Sequence, residues 1–263
     1  MNIPNRYYLL LTLFLLFTDL FDSYFLDQET LQLKKLFVRK SFSSLLLLFI
    51  ILVIPLTYID YYKVYPFYFY KVEKDRNNLT FDLLFKTFKL VIFNLLLVPL
   101  VSYLFYPFIL LNQELNLYEI FYLIPFLIME EIVFYWSHRI LHLPYFYKNI
   151  HKIHHEWVYP IALSCIYSHP LEFIFSNLSP TIITLLISSY LNISISIYFY
   201  WFWMYLGFTN TIITHSGYSM KQQYDLHFYH HISFNYNYGT SLFMDKLMKT
   251  DKTINRNDMK KFV

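Results

Sequence analysis

The fold of this chain is indicated by residues 126–155, which read FLIMEEIVFYWSHRILHLPYFYKNIHKIHH. An apolar run ends near two glutamates and is followed by five histidines. His138 and His142 are four residues apart, so on a helix they share one face. Pro144 then discourages the helix from continuing. The stretch predicts an apolar helix that carries histidines at its C-terminal end.

The composition indicates a membrane protein. The chain has 263 residues, 57% of them hydrophobic and only 15% charged, with 28 Phe, 27 Tyr and 3 Gly. Soluble domains carry more charge and far more glycine. Apolar runs of about 18 residues or more, long enough to cross a bilayer, are present. The net charge of +3 forms no basic stripe and does not suggest nucleic-acid binding.

Cysteine and glycine usage excludes several classes of site. Cys165 is the only cysteine in the sequence, so neither an intramolecular disulfide nor a Cys₄ iron–sulfur cluster can form within one chain. It is interpreted as a buried small hydrophobe. The three glycines form no phosphate-binding loop, which excludes nucleotide binding by such motifs. A redox cofactor would therefore be held by histidine, or electrons would come from another protein.

Four apolar segments predict an all-α, multi-pass fold. They form two close pairs and are expected to cross the membrane, with a fifth span if residues 45–59 also cross. Residues 8–21 are ambiguous between a span and a signal peptide without a convincing cleavage site. The four segments are residues 90–111, 117–136, 173–191 and 193–209.

The charge pattern predicts the orientation of these spans. Each pair of spans is expected to start and end on the same face of the membrane. Residues 63–89 on that face hold six basic residues, whereas residues 112–116, which connect the first two spans on the opposite face, hold none. Positive charges favour the cytosol, so the histidines are expected in a cytosolic helical cap. Lys260 and Lys261 near the C-terminus resemble a dilysine signal, which predicts an endoplasmic reticulum membrane protein. The alternative is a solvated basic tail.

The histidines point to metal chemistry. All ten lie between residues 138 and 231, and two segments repeat the pattern His-x-x-His-His, whose offsets share one helical face. Imidazole suits Fe, Zn, Cu and Ni. Eight histidines exceed the needs of one ion, so two ions are expected, helped by His215 or His169. The eight are His138, His142, His151, His154, His155, His227, His230 and His231.

Iron is the favoured metal, and carboxylates are expected to support its ligands. Haem needs only two axial histidines, and here no histidine lies inside the predicted spans. An apolar substrate entering from the bilayer has C–H bonds that require redox-active iron rather than zinc. Glu131, two turns before His138, is a candidate partner for a ligand's second nitrogen, with Glu172 and Asp225 as weaker ones. His169 is open between ligand, supporting and structural roles.

The motifs resemble the fatty acid hydroxylase and sterol desaturase superfamily over about residues 90–255, between an N-terminal membrane-associated region (1–89) and a tail (256–263). The resemblance implies a non-haem di-iron enzyme that uses O₂ and electrons from cytochrome b5 or a similar NAD(P)H-driven donor. Its closest likeness is to C4-methylsterol monooxygenases, which implies oxidation of a methylsterol's C4 methyl group. The matching stretches are FYWSHR (134–139), HKIHHE (151–156), SHPLE (168–172), THSGY (214–218) and HFYHH (227–231).

Two alternatives stay open. The run FNYNYG at 234–239 also resembles C5-sterol desaturases, and the short loop between Tyr218 and His227 differs from typical methylsterol oxidases. A C5-sterol desaturase or a fatty-acyl or lipid hydroxylase is therefore the second enzyme hypothesis. A non-catalytic membrane protein with a structural or regulatory metal site is the hypothesis from another class.

Overall fold

The structure is a computed structural model that describes residues 8, 9, 13, 26–65, 67, 79–218 and 226–252. The prediction for residues 8–21 falls almost entirely outside these residues. Asp225 and the C-terminal lysines also lie outside them.

The described residues are almost entirely helical, which confirms the all-α prediction. Asp27, Thr80 and Ser196 each start a helix by accepting a hydrogen bond from a backbone N–H of the first turn. The helices are α1 (Gln28–Lys35), α2 (Ser41–Tyr62), α3 (Phe81–Phe105), α4 (Leu123–Leu141), α5 (Pro144–Asn149), α6 (Pro170–Glu172), α7 (Ser179–Tyr190), α8 (Ile197–Ser216), α9 (Leu226–Ser233) and α10 (Leu242–Met248).

Shorter helical turns and one strand pair complete the fold. The π-helical turn Leu36–Lys40 joins α1 to α2, and Phe173–Leu178 joins α6 to α7. Leu111–Asn112 (β1) pairs in parallel with Ile195–Ser196 (β2). The 3₁₀ turns are Tyr106–Phe108, Leu117–Tyr122, His151–Glu156 and Ala162–Ile166.

Among the described residues, three helical stretches are long and apolar enough to cross a membrane, namely Gln28–Tyr62, Phe81–Phe108 and Pro170–Tyr190. The predicted span at 117–136 begins as the 3₁₀ turn Leu117–Tyr122, where Asn116 accepts the Tyr118 N–H, and continues as α4 from Leu123. The predicted count of four or five spans and their orientation stay predictions.

Two apolar clusters hold the helices together. One is built from α2 and α3 packed against the 3₁₀ turn Ala162–Ile166, with Phe49, Val91 and Cys165 buried in it. The other lies between α4, α7 and α8, where the rings of Phe126 and Trp203 pack edge to face with their centroids 4.8 Å apart. The histidines are carried at the C-terminal ends of α4 and α8 and by the segments that follow them.

Candidate metal centre

The first histidine pair sits where α4 ends. His138 lies in the last turn of α4, and His142 is the residue that follows it, with its N–H bonded to the His138 carbonyl at 3.2 Å. Pro144 begins α5 at its first position, where a missing N–H costs nothing. The predicted helix end is therefore where the sequence indicated it.

The two His-x-x-His-His segments adopt different helices. His227, His230 and His231 lie on α9, as the spacing predicted. His151, His154 and His155 lie instead on the 3₁₀ turn His151–Glu156. All six side chains are buried.

Nine histidines form two adjacent groups. In each group, one ring nitrogen from every member lies within 4.8 Å of the others. His154 and His155 are consecutive yet belong to different groups, as are His230 and His231, because successive helical side chains point in different directions. The five-histidine group is His138, His142, His151, His155 and His230, and the four-histidine group is His154, His215, His227 and His231.

Backbone carbonyls set the tautomers of several of these rings. The Nδ1 of His138 lies 2.7 Å from the Tyr238 carbonyl, and that of His230 lies 2.6 Å from the Tyr236 carbonyl. A carbonyl only accepts, so each Nδ1 carries the proton and donates it. A neutral imidazole has one N–H, which leaves Nε2 with a free lone pair facing the group.

The same holds in the four-histidine group. His154 Nδ1 donates to the Tyr167 carbonyl at 3.0 Å, and His215 Nδ1 donates to the Thr211 carbonyl at 2.7 Å. Their Nε2 atoms then face each other at 3.4 Å with no proton between them. Two lone pairs at that distance repel unless a cation lies between them.

The spacing of the facing nitrogens suits a metal ion. The Nε2 of His151 lies 3.2 Å from that of His138, 2.9 Å from that of His142 and 3.0 Å from that of His155. An imidazole nitrogen binds a metal such as zinc at about 2.1 Å, so two nitrogens at a right angle around one ion lie about 3 Å apart. Within the described residues, both ring nitrogens of buried His231 also lack a hydrogen-bond partner. Both groups therefore fit a metal, and imidazole donors suit iron.

Burial keeps these imidazoles neutral. It lowers the pKa of His138 to about 3, that of His142 to about 2 and that of His154 to about 4, in the absence of metal. It also lowers the pKa of His230 and His231 well below the ordinary value. Neutral imidazole is the form that binds metal, so at neutral pH the lone pairs are available.

Of the carboxylates predicted to support the imidazoles, Glu172 contacts one of the clustered histidines. Its Oε1 lies 2.8 Å from Nδ1 of His151, and both side chains are at most 3% exposed. Glu131, predicted to support His138, instead accepts hydrogen bonds from Thr240, Ser241 and Met244. The helical spacing placed it correctly along α4, but its side chain meets the loop after α9 rather than the imidazole.

His169 belongs to neither group. Its Nδ1 accepts the Leu171 N–H at 3.1 Å, which caps the start of α6. Of the roles left open for it, this contact corresponds to the structural one.

Four backbone carbonyls that hold the histidines were missed by sequence reasoning. They belong to Tyr167, Thr211, Tyr236 and Tyr238. Every residue carries a carbonyl, so no residue type signals this role. The one hint was the position of Tyr236 and Tyr238 in the quoted run at 234–239.

An apolar cavity reaches both histidine groups. Its walls include Leu95, Val98, Trp203 and Phe208, and imidazoles of both groups, among them His138 and His215, also line it. Such a cavity, mostly apolar with a few polar groups, is typical of small-molecule sites.

Comparison with protein families gives a match to the fatty acid hydroxylase family over residues 123–250, the part of the chain that carries all nine clustered histidines. No solved structure matches the chain.

The relatives of this chain carry the names of several different lipid-oxidising proteins. Fatty acid hydroxylase domain-containing protein 2 of Macaca fascicularis is 37% identical over 178 residues, covering 63% of this chain and 51% of its own. Fatty acid hydroxylase ahd1 of Mycosarcoma maydis is 41% identical, covering 48% of this chain and 32% of its own. Methylsterol monooxygenase 2-2 of Arabidopsis thaliana is 34% identical, covering 50% and 52%. The chain thus spans about half, or less, of the length of these relatives.

Proposed function

We propose that this chain is a membrane-bound, non-haem di-iron oxidase of lipids, because its residues 123–250 match the fatty acid hydroxylase family. The observation that supports this most is the pair of buried histidine groups whose members line one apolar cavity. The five-histidine group would hold one iron and the four-histidine group the other. Bound iron would supply the O₂-dependent oxidation of a C–H bond that acid–base groups cannot attack.

The finer proposal is oxidation of the C4 methyl group of a methylsterol. It is supported by the relatives named methylsterol monooxygenase, at 34% and 33% identity. One oxygen atom of O₂ enters the C–H bond and the other leaves as water. Two electrons would come, one at a time, from a cytochrome b5-type donor driven by NAD(P)H, and two protons would come from the aqueous phase. The protein is expected to reside in the endoplasmic reticulum membrane, with the histidines and the C-terminus facing the cytosol.

The chain's own residues would bind the substrate, shield it from water and orient the imidazoles. The cavity walls, which include Val98 and Phe208, would exclude water from an apolar substrate. The carbonyls of Tyr167 and Thr211 keep His154 and His215 in the tautomer that presents Nε2. Glu172 does the same for His151.

One observation favours a second candidate, hydroxylation of an open-chain lipid. Glu130 lines the cavity and accepts the Trp203 Nε1–H at 2.9 Å, and no donor among the described residues reaches its other oxygen. It precedes His138 by eight residues, or about 12 Å of helix. A lipid with a hydrogen-bond donor that far from the oxidised carbon would suit this wall. A methylsterol's own hydroxyl lies beside C4 instead.

Expression in a yeast strain that lacks its C4-methylsterol oxidase tests the proposal. Cytochrome b5 and its reductase are co-expressed, and sterols are profiled by gas chromatography–mass spectrometry. We expect 4,4-dimethylsterols to be consumed, and not in the His154→Ala variant. Persistence of these sterols with new hydroxylated acyl lipids favours the second candidate. An iron-free protein without turnover on either class would favour the non-catalytic hypothesis.

A further inference from the structure

We infer that Glu131 and Asp245 are positioning residues that hold the five-histidine group in shape through residues 236–241, here named the clamp loop. The inference rests on the proposed di-iron function and goes beyond it, since neither carboxylate touches an imidazole nitrogen in the described contacts. Glu131 lies on α4 and Asp245 on α10, so the clamp loop is hydrogen-bonded to side chains of two helices.

Glu131 binds the far end of the clamp loop. Its Oε2 accepts the Thr240 N–H at 2.8 Å, the Thr240 hydroxyl at 2.6 Å and the Ser241 N–H at 2.8 Å. Its Oε1 accepts the Met244 N–H at 3.1 Å. The side chain is 3% exposed. All four of these donors come from a segment more than 100 residues away in sequence.

Asp245 binds the middle of the same loop. Its two oxygens accept the Tyr238 N–H at 2.9 Å and the Gly239 N–H at 2.8 Å. Its Oδ1 also accepts the Thr250 hydroxyl at 2.7 Å, and the side chain is fully buried. Glu131 and Asp245 thus hold the backbone on both sides of Gly239.

Gly239 leaves room for both carboxylates to approach the clamp loop. A Cβ at this position would lie 2.5 Å from Glu131 Oε1 and 3.0 Å from Asp245 Oδ2. Any larger residue would push at least one carboxylate away from its donors. The glycine of the run at 234–239 therefore serves close packing against two carboxylates.

The clamp loop in turn presents two carbonyls to the five-histidine group. Tyr238 accepts from His138 Nδ1 and Tyr236 accepts from His230 Nδ1. The Tyr238 ring also packs against His142, with centroids 5.0 Å apart. In the four-histidine group the carbonyl partners of His154 and His215 come from other segments.

Stability alone is a weak reason to bury two neighbouring carboxylates. A buried charge is costly unless it is fully hydrogen-bonded, and well-packed apolar residues often serve stability as well. Fixing a loop whose carbonyls orient metal ligands is a role that apolar side chains cannot perform. Outer partners of this kind usually change metal affinity by about 10–100-fold when removed.

The test is iron stoichiometry in the purified, full-length protein in detergent. The protein is loaded with Fe²⁺ without oxygen, and binding is measured by chelator competition. We expect two irons in the wild type. We expect Glu131→Ala and Asp245→Ala to retain one tight iron and to bind the second about 10–100-fold more weakly. Gly239→Ala should do the same.

Matched variants separate positioning from folding. Glu130→Gln changes the neighbouring carboxylate, which contacts Trp203 rather than the clamp loop, and should keep both irons. Glu131→Gln keeps one acceptor oxygen and should lose less affinity than Glu131→Ala. If Glu131→Ala fails to fold, the Glu131→Gln and Gly239→Ala variants decide. Equal weakening of both irons, or two irons with unchanged affinity, would overturn the inference. A wild type without iron would instead refute the proposed function.

Discussion

The two histidine groups lie side by side but are supported by different kinds of structure. The five-histidine group depends on Glu172 and on the clamp loop, which two buried carboxylates hold. In the four-histidine group, His215 bonds the carbonyl one turn back on its own helix, and His154 bonds that of Tyr167, 13 residues on. The supports of the first group thus include contacts between distant segments, such as His138 with Tyr238, whereas the two carbonyl partners in the second group lie at most 13 residues from their histidines. We expect the first group to be the more sensitive to distant substitutions.

The largest expected effect comes from replacing neighbouring histidines of different groups. His230→Ala and His231→Ala each remove one ligand candidate, from the five- and the four-histidine group respectively. Each should lower turnover at least about 100-fold and cost one iron, as measured by oxygen consumption and metal analysis. His169→Asn, outside both groups and still able to cap α6, should keep both irons. Full activity in both alanine variants would refute the di-iron assignment.

A smaller and one-sided effect is expected at Glu172. Glu172→Ala removes the acceptor of His151 Nδ1 and should weaken iron binding about 10–100-fold in the five-histidine group alone. Chelator competition on the purified protein measures this. The control is Glu156→Gln, a half-exposed carboxylate bonded to Lys86 and the Tyr167 hydroxyl. Equal weakening of both irons would show that the groups are not supported separately.

Acid should act on both groups of the metal-free protein. Burial lowers the pKa of His154 to about 4 and that of His138 to about 3, so below pH 6.5 the unfolded chain takes up protons that the folded chain does not. The stability contribution of these neutral imidazoles is complete above about pH 6.5 and is lost as the pH falls towards 4. The thermal unfolding midpoint of metal-stripped protein should therefore fall from pH 8 to pH 5. A midpoint that rises on acidification would contradict the neutral assignment.

The smallest effect is expected at Tyr167. Tyr167→Phe removes the hydroxyl that donates to Glu156 at 2.7 Å but keeps the backbone carbonyl that accepts from His154. The loss should be about 1 kcal/mol of unfolding free energy, with both irons retained. Thermal unfolding and metal analysis check both points. Loss of iron would show that the side chain, and not only the carbonyl, supports the four-histidine group.

Much of the architecture was predictable because it follows from residue type and spacing. The apolar segments predicted an all-α fold, which the structure confirms. The sequence did not indicate that residues 117–122 form a 3₁₀ turn before α4, where Glu119 accepts the Ser196 N–H. Caps and buried hydrogen bonds of this kind depend on a partner, here Ser196, that is distant in sequence.

By itself, the sequence determined the chemistry available to this protein, because ten histidines, one cysteine and three glycines limit which cofactors it can hold. Tertiary structure alone decided how the imidazoles divide, because His154 and His155 point into different groups and because His142 meets His230, which is 88 residues away. It also decided that Glu131 holds a loop rather than an imidazole. The physical reason is that the carbonyls and side-chain directions that orient a ligand carry no residue-type signal until the segments are packed together.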